Sequence, residues 1–402
     1  MRRHLLALIF PLALSPAADA AAAATADANP CNQLCMKRVQ DSHALAAKGQ
    51  YREALDLLET ARKDAPQASA PLSSAAYMLR DLSTKVAPEQ VEELRKNARG
   101  LARRALELDP DDALAQEALR HLDNEGFSAL RQLTPAATKA WEEAERLFTD
   151  RRYAEALAKF REAMTLDPAS SLPLVGAGDC YFAQQQWSEA ERLFRTAVER
   201  EPRNAQAWRF LSDALAQQEK WKAAEAALLS GITADPGQLP NWTKLARFRA
   251  AAGLPLKPLR FHRGVNIVRD KKGDVEIQVE QEIANQSGTP DGAFRMTLAL
   301  SEASASVAGK DGGKDKARTP FDIESSAWRD ALQAAEEAEA GKKGGLADPA
   351  LRQMQAFAQD GQLEAAILVL LYRESYRPAL EAWLAREPDG VRRFIDRYGI
   401  RP

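Results

Sequence analysis

Residues 171–204 read SLPLVGAGDCYFAQQQWSEAERLFRTAVEREPRN, and the reading of this stretch decides the fold. Its landmarks recur on both sides at an interval of 34 residues. Pro168, Pro202 and Pro236 keep that spacing, as do Tyr153, Trp187 and Trp221. So do Ala156, Ala190 and Ala224, then Phe160, Phe194 and Leu228, then Ala144, Gly178, Ser212 and Ala246. Several columns held in one register mark a stacked array of small helical units.

Each residue type has a mechanical reason to be where it is. Ala and Gly belong where two helices touch, because axes about 8–10 Å apart leave room only for small side chains. Aromatics near the start of the second helix are expected to fill the wedge between units. Pro after that helix ends it and sets the turn. One unit cannot bury its apolar face, whereas a stack can.

On these residues the array resembles the tetratricopeptide repeat (TPR), a helix–turn–helix unit. The match is best over 171–204, with Leu174, Gly178, Tyr181, Trp187, Ala190, Phe194, Ala197 and Pro202. The unit from Ala205 to Gln238 carries Trp208, Leu211, Ser212, Trp221, Ala224 and Pro236, with Gly231 in place of the expected Ala. The unit from Ala137 to Ser170 carries Ala144, Tyr153, Ala156, Phe160, Ala163 and Pro168, and departs by placing Trp141 one position late. The fold class expected is mostly α: a TPR-type α-solenoid followed by a small antiparallel β-sheet and C-terminal helices (α+β).

Outward from the array, residues 1–28 read as a signal peptide. Arg2 and Arg3 precede an apolar Leu5–Leu14 and small-residue cleavage sites at Ala18-Asp19-Ala20 or Ala26-Asp27-Ala28. A bacterial envelope location follows, periplasmic or secreted. The apolar run is too short for a membrane span, which needs about 20 residues, and no later stretch could make one. Residues 29–133 read as a degenerate TPR-like helical region, and residues 134–254 as the regular array closed by a capping helix that stops at Gly253.

In residues 255–306 the pattern turns from helical to alternating. Leu259–Arg269 and Val275–Ile283 predict a hairpin around the turn at 270–274, and Phe294–Ser301 predicts a third antiparallel strand. Residues 307–320 read as a flexible linker and 321–402 as a C-terminal helical region. Cys31 and Cys35, four apart after Asn29-Pro30, are a candidate disulfide in an oxidising compartment. Free thiols and a metal or redox role remain open beside it.

A formal net charge of −2 argues against nucleic acid, which leaves a basic footprint. No cofactor-binding, metal-ligand or catalytic motif occurs: there is no HExxH, no phosphate loop and no nucleophile elbow. His262 beside Glu276 or Glu280 would be an acid–base pair only by chance of a cross-strand contact, so no catalytic residue is assigned. The resemblance implies instead a concave groove, lined by the first helices of successive units, that binds a protein or peptide partner. Carried over position by position, the groove is Trp141 and Glu145, then Val175, Asp179 and Phe182, then Arg209 and Asp213, then Thr243 and Arg247. The Lys/Asn/Arg set with which one subgroup clamps a terminal carboxylate is absent there. Apolar Trp141, Val175 and Phe182 among Glu145, Asp179 and Asp213 suit a segment with apolar anchors and basic neighbours. A scaffold without turnover is therefore the expectation. An envelope enzyme with its site in the C-terminal half, or a structural subunit of an envelope assembly, are the alternatives; oligomeric state is not legible.

Overall fold

The computed structural model describes residues 31–83, 85–109, 112–123, 132–269, 275–279, 281–286, 288–308, 318–340 and 344–402. The signal-like stretch 1–28, the hairpin turn 270–274 and most of the linker 307–320 lie outside the described residues. The chain divides into two compact units, one ending at Glu125 and one running from Gly126 to Pro402.

The first unit is helical: α1 (Gln33–Ala47), α2 (Tyr51–Asp64), α3 (Ala70–Ser83), α4 (Pro88–Leu108) and α5 (Ala113–Asp123). Asn32 caps α1, its side chain accepting from Cys35 N at 2.9 Å. Cys31 and Cys35 are bridged, with Cα atoms 5.3 Å apart. The bridge forms because Cys31 lies just outside the helix, so its backbone is free to bring the sulfur over. Ala98, Ala102 and Ala105 are fully buried, the small stripe along which α4 packs on its neighbours.

The second unit opens with the array: α6 (Pro135–Thr149), α7 (Tyr153–Leu166), α8 (Leu172–Ala183), α9 (Trp187–Arg200), α10 (Ala205–Ala216), α11 (Trp221–Ala234) and the capping α12 (Leu239–Ala251). The first helix of each pair ends in one device. Arg151, Gln185 and Glu219, 34 residues apart, each take a left-handed φ near 60°. The next residue's N–H then reaches back to the helix, as in Gln186 N to Tyr181 O at 2.9 Å. Gly253 repeats the conformation after α12.

The buried wedge differs from the expected one. Trp221 is 57% exposed, and Tyr153 and Trp187 are only half-buried. Full burial falls instead on the column Phe160, Phe194 and Leu228. Two glycines make room for those rings: a Cβ at Gly176 would lie 2.2 Å from Phe160, and one at Gly178 2.4 Å from Phe194. At Gly231 the intruder would meet Asn241 Nδ2 at 2.7 Å, an amide that donates to Ala205 O. This is why Gly replaces Ala in that unit.

Beyond the array come β1 (Lys257–Pro258), β2 (Val265–Arg269), β3 (Val275–Val279), α13 (Gln281–Ala284), α14 (Pro290–Ala308) and α15 (Pro320–Ala340). Then follow α16 (Pro349–Gln359), α17 (Leu363–Leu370), a 3-10 turn at Glu374–Tyr376, α18 (Arg377–Arg386), α19 (Gly390–Tyr398) and β4 (Ile400–Arg401). The hairpin β2–β3 pairs Val265 with Val279 and Arg269 with Val275. The expected third strand is wrong. Phe294–Ser301 lies inside α14, started by Pro290 and by Thr289, whose hydroxyl accepts from Gly292 N. Residues 255–306 are thus not a three-stranded segment. Buried Asp291, Phe294, Arg295, Leu298 and Ala299 follow the helical period, and Met296 and Leu300, which suggested alternation, are exposed. The first predicted strand, Leu259–Arg269, is shortened to Val265–Arg269, and Lys257–Pro258 just ahead of it runs parallel to β4.

This C-terminal part closes the stack. Leu228, Leu229, Ile232, Trp242 and Leu245 of the array share one core with Phe294, Trp328, Leu351, Ile367, Leu380 and Phe394. Polar contacts fix the joint: buried Arg377 donates to Ala234 O and pairs with Glu374 at 2.8 Å. Arg249 bridges Glu225 and Asp396.

Candidate functional site

The first helices α6, α8, α10 and α12 of the array lie side by side. Heptad-like spacing within each helix puts residues four apart, such as Trp141 and Glu145 or Val175 and Asp179, on one face. Not all of the predicted groove residues offer that face to a ligand. Trp141 is 9% exposed and Val175 6%, both inside the array's core. They form the floor of the wall and do not project from it as the anchors expected, because neighbouring first helices close over them. Phe182 sits at the helix end with its ring edge-on to Trp187, centroids 4.7 Å apart, and belongs to the turn. Thr243 is half-buried and Arg247 exposed on α12.

The charged members come together as one continuous row. Burial holds the Glu145 carboxyl up at about 7. Asp179 is pushed well above the usual carboxylate range, first by burial and then by the Glu145 charge, with Arg209 pulling it back. Both remain partly accessible to solvent. Among the described residues no hydrogen bond or ion pair reaches either carboxylate. The thiol of Cys180, under the same two charges and buried, is pushed up to about 12.

The far end of the row has the opposite sign. Arg209 over α10 lies within electrostatic reach of Asp179 on one side and Lys244 on the other. Lys244 pairs with Asp213. Burial first, then Arg209 and Arg247, hold the Lys244 amine down at about 7 beside the Asp213 carboxylate. Sequence reasoning missed Lys244, since it lies next to the column position Thr243 and not on it. The signal was a cation one turn from Arg247 on the same helix.

Among the described residues of the C-terminal half, buried charges are paired with one another. Arg263 there pairs with Glu302 and Glu324, and Trp328 Nε1 donates to Glu324 at 2.8 Å. Arg263 holds Glu324 down at about 2, while burial raises Glu302. This closed network ties β2's approach to α14 and α15, and Glu324 is 3% exposed. His262 lies ahead of the β2–β3 ladder, so the register does not set it across from Glu276. Glu280 lies outside the described residues. Among the described residues no cluster of His, Cys, Asp and Glu could hold a metal ion, and no helix is long and apolar enough to cross a membrane.

Comparison with known proteins places the array. Tetratricopeptide-repeat models match residues 147–201 and 175–238. Residues 147–238 are therefore tetratricopeptide repeats. Comparison with the curated proteins finds no match. Similar solved structures include the first TPR of Spaghetti (RPAP3) bound to HSP90 peptide SRMEEVD, 19% identical, covering 29% of this chain and 94% of that one with a TM-score of 0.28. The Sgt2 TPR domain from Aspergillus fumigatus is 22% identical over 30% of this chain and 83% of its own, TM-score 0.28. A thermophilic TPR protein of Thermus thermophilus is 18% identical over 54% of this chain and 99% of its own, TM-score 0.25.

Proposed function

We propose that the tetratricopeptide repeats of this chain form an exported scaffold that holds a protein or peptide partner along the wall of α6, α8, α10 and α12, without catalytic turnover. One observation carries the reading. Glu145 and Asp179 stand half-buried side by side in that wall with no hydrogen bond or ion pair among the described residues, and Arg209 offsets only part of the cost of holding Asp179 there. Incompletely offset charge of this kind is more often kept for a ligand than for stability. The C-terminal part serves to close the array, which agrees with a binding surface of fixed length. Export rests on the composition of residues 1–28, and periplasmic release is the expectation.

The test is site-specific photo-crosslinking in intact cells. A crosslinker at Thr243 or Arg247 should give discrete protein adducts, and one at Arg195 on the outer helix α9 should give none. Adducts at Arg195 alone would refute the groove. Osmotic-shock fractionation with the mass of the released chain tests export: retention in the cytoplasm at full length would refute it.

A further inference from the structure

The second helices α7 and α9 both pack on α8 and leave a cleft of about 270 Å³ between them. Leu157 and Met164 of α7, Leu174 of α8 and Leu193 of α9 give it apolar walls. Helix α8 turns Leu174 and Tyr181 to the cleft, and carries Val175 and Asp179 on a different face. On the rim stands Arg161, an exposed side chain whose Nη2 donates to Tyr181 Oη at 3.2 Å. Among the described residues no carboxylate reaches Arg161. The other cation of the rim, Arg192, is already matched, its Nη2 lying 3.0 Å from the Glu189 carboxylate. One unit on, the array treats the same position differently. Arg195, 34 residues after Arg161, donates through Nε and Nη2 to Glu191 at 2.9 and 2.8 Å. The residue 34 before Glu191 is Leu157. Where one unit gives its arginine a carboxylate, the other gives it an apolar wall and a tyrosine hydroxyl.

We propose that this cleft binds a small organic acid: one carboxylate, held by Arg161 and Tyr181, joined to an aromatic or branched aliphatic group that lies among the leucines. The site is separate from the wall of first helices and does not depend on what lies there. Volume sets the size of the ligand. An apolar cavity of about 150 Å³ takes one benzene ring, so the space here admits a ring with a short acid chain and nothing much larger. Charge sets its sign. A guanidinium has several N–H donors, of which Arg161 commits one to Tyr181, and the tyrosine oxygen that accepts it still has its own O–H to give. Two donors therefore meet at one place with a single unmatched positive charge, which suits a monoanion, and N–H bonds to a carboxylate are of the strong, charge-assisted kind. The apolar walls set the rest: acetate or an inorganic ion would satisfy Arg161 and leave the leucines wet. Because Arg161 is exposed, water screens the ion pair and the affinity is modest.

The experiment is a saturation-transfer NMR titration of the full chain with phenylpropionate, the neutral phenylpropanamide and acetate. Phenylpropionate should saturate one site per chain with a Kd on the order of 1 mM. The amide should bind about tenfold more weakly, and acetate should give no saturable signal. Arg161→Gln should weaken phenylpropionate about tenfold, to the level of the amide, and leave the amide unchanged. Arg195→Gln, at the position whose arginine already has Glu191, should change neither. Thr196→Leu, which fills the cleft from the α9 side, should remove binding of acid and amide alike. Arg161 and Arg195 are exposed, and unchanged thermal melts certify that the variants fold. Equal affinity for acid and amide, a loss at Arg195→Gln as large as at Arg161→Gln, or undiminished binding in Thr196→Leu would overturn the proposal. So would the absence of saturable binding by both phenylpropionate and its aliphatic counterpart isocaproate. Crosslinking along the first helices is read separately, so neither result decides the other.

Discussion

Glu145→Gln is the substitution whose outcome follows most directly from the groove. Burial raises the folded-state value from an ordinary 4.5 to about 7. A carboxyl raised on folding contributes its stability below the unfolded value, and loses it as pH rises through the folded one. At 1.36 kcal/mol per pH unit the difference is roughly 3 kcal/mol as an upper bound. Partial access of water to the groove screens it, so about 1–3 kcal/mol is expected. Asp179, raised as well, adds to the same trend. The wild-type chain should therefore lose stability from about pH 5 to about pH 8. The amide variant, which has no charge to bury and relieves Asp179 of a neighbour, should lose less and be more stable at the alkaline end by that amount. Near the acid end the two should coincide. Urea unfolding followed by tryptophan fluorescence reads this cleanly, because all seven tryptophans lie in the second unit. A variant with the wild-type pH slope, or one less stable at the alkaline end, would refute the assignment of Glu145 as a buried, uncompensated acid.

Four further outcomes follow from the packing. Gly178→Ala should cost about 1–3 kcal/mol in the same unfolding assay, since the added methyl meets the Phe194 ring, which has nowhere to turn. Arg377→Ala should cost about 1–3 kcal/mol, because it leaves buried Glu374 only Tyr372 and the more distant Arg203 and frees the Ala234 carbonyl; limited proteolysis should then cut between the array and the C-terminal helices. Gln185→Gly should stabilise by up to about 1 kcal/mol, removing the left-handed penalty of a side chain at φ 61°. Iodoacetamide should label no cysteine in the native oxidised chain, Cys31 after mild reduction, and Cys35 and Cys180 only on unfolding, since both are buried and the Cys180 thiol is pushed up to about 12.

The array was legible because its constraint is local and repeated: each 34-residue copy solves the same packing problem with the same residues. Even there the pattern misassigned the wedge. Tyr153, Trp187 and Trp221 stand out by size, whereas Phe160 and Phe194 do the filling, and the clue was Gly176 and Gly178 set against them. Helices that start at Pro, such as those at Pro88, Pro135 and Pro349, carry their beginning in the sequence, because a residue without an N–H fits the first turn. Phe294–Ser301 failed because Phe294, Met296, Leu298 and Leu300 alternate in sequence, and period two cannot be told from a helix whose second face is incidentally apolar. The pairing of Lys257–Pro258 with Ile400–Arg401 had no local signal at all. Of the candidate site, the column positions named Glu145, Asp179, Arg209 and Asp213, which lie along the first helices of successive pairs. Which apolar members are buried, and the part played by Lys244, depend on neighbouring helices that one unit's sequence does not name.

The closed end of the array bears on how the molecule can be cut. A fragment stopping where the repeats stop, near residue 254, would bare Leu228, Ile232, Trp242 and Leu245, an oily stump with no polar coat. Such a piece would clump in a test tube however well its repeats were formed. The smallest manageable portion containing the repeats thus extends to Pro402, and the last two strand residues, Ile400 and Arg401, are the clasp that holds Lys257 and Pro258 in place.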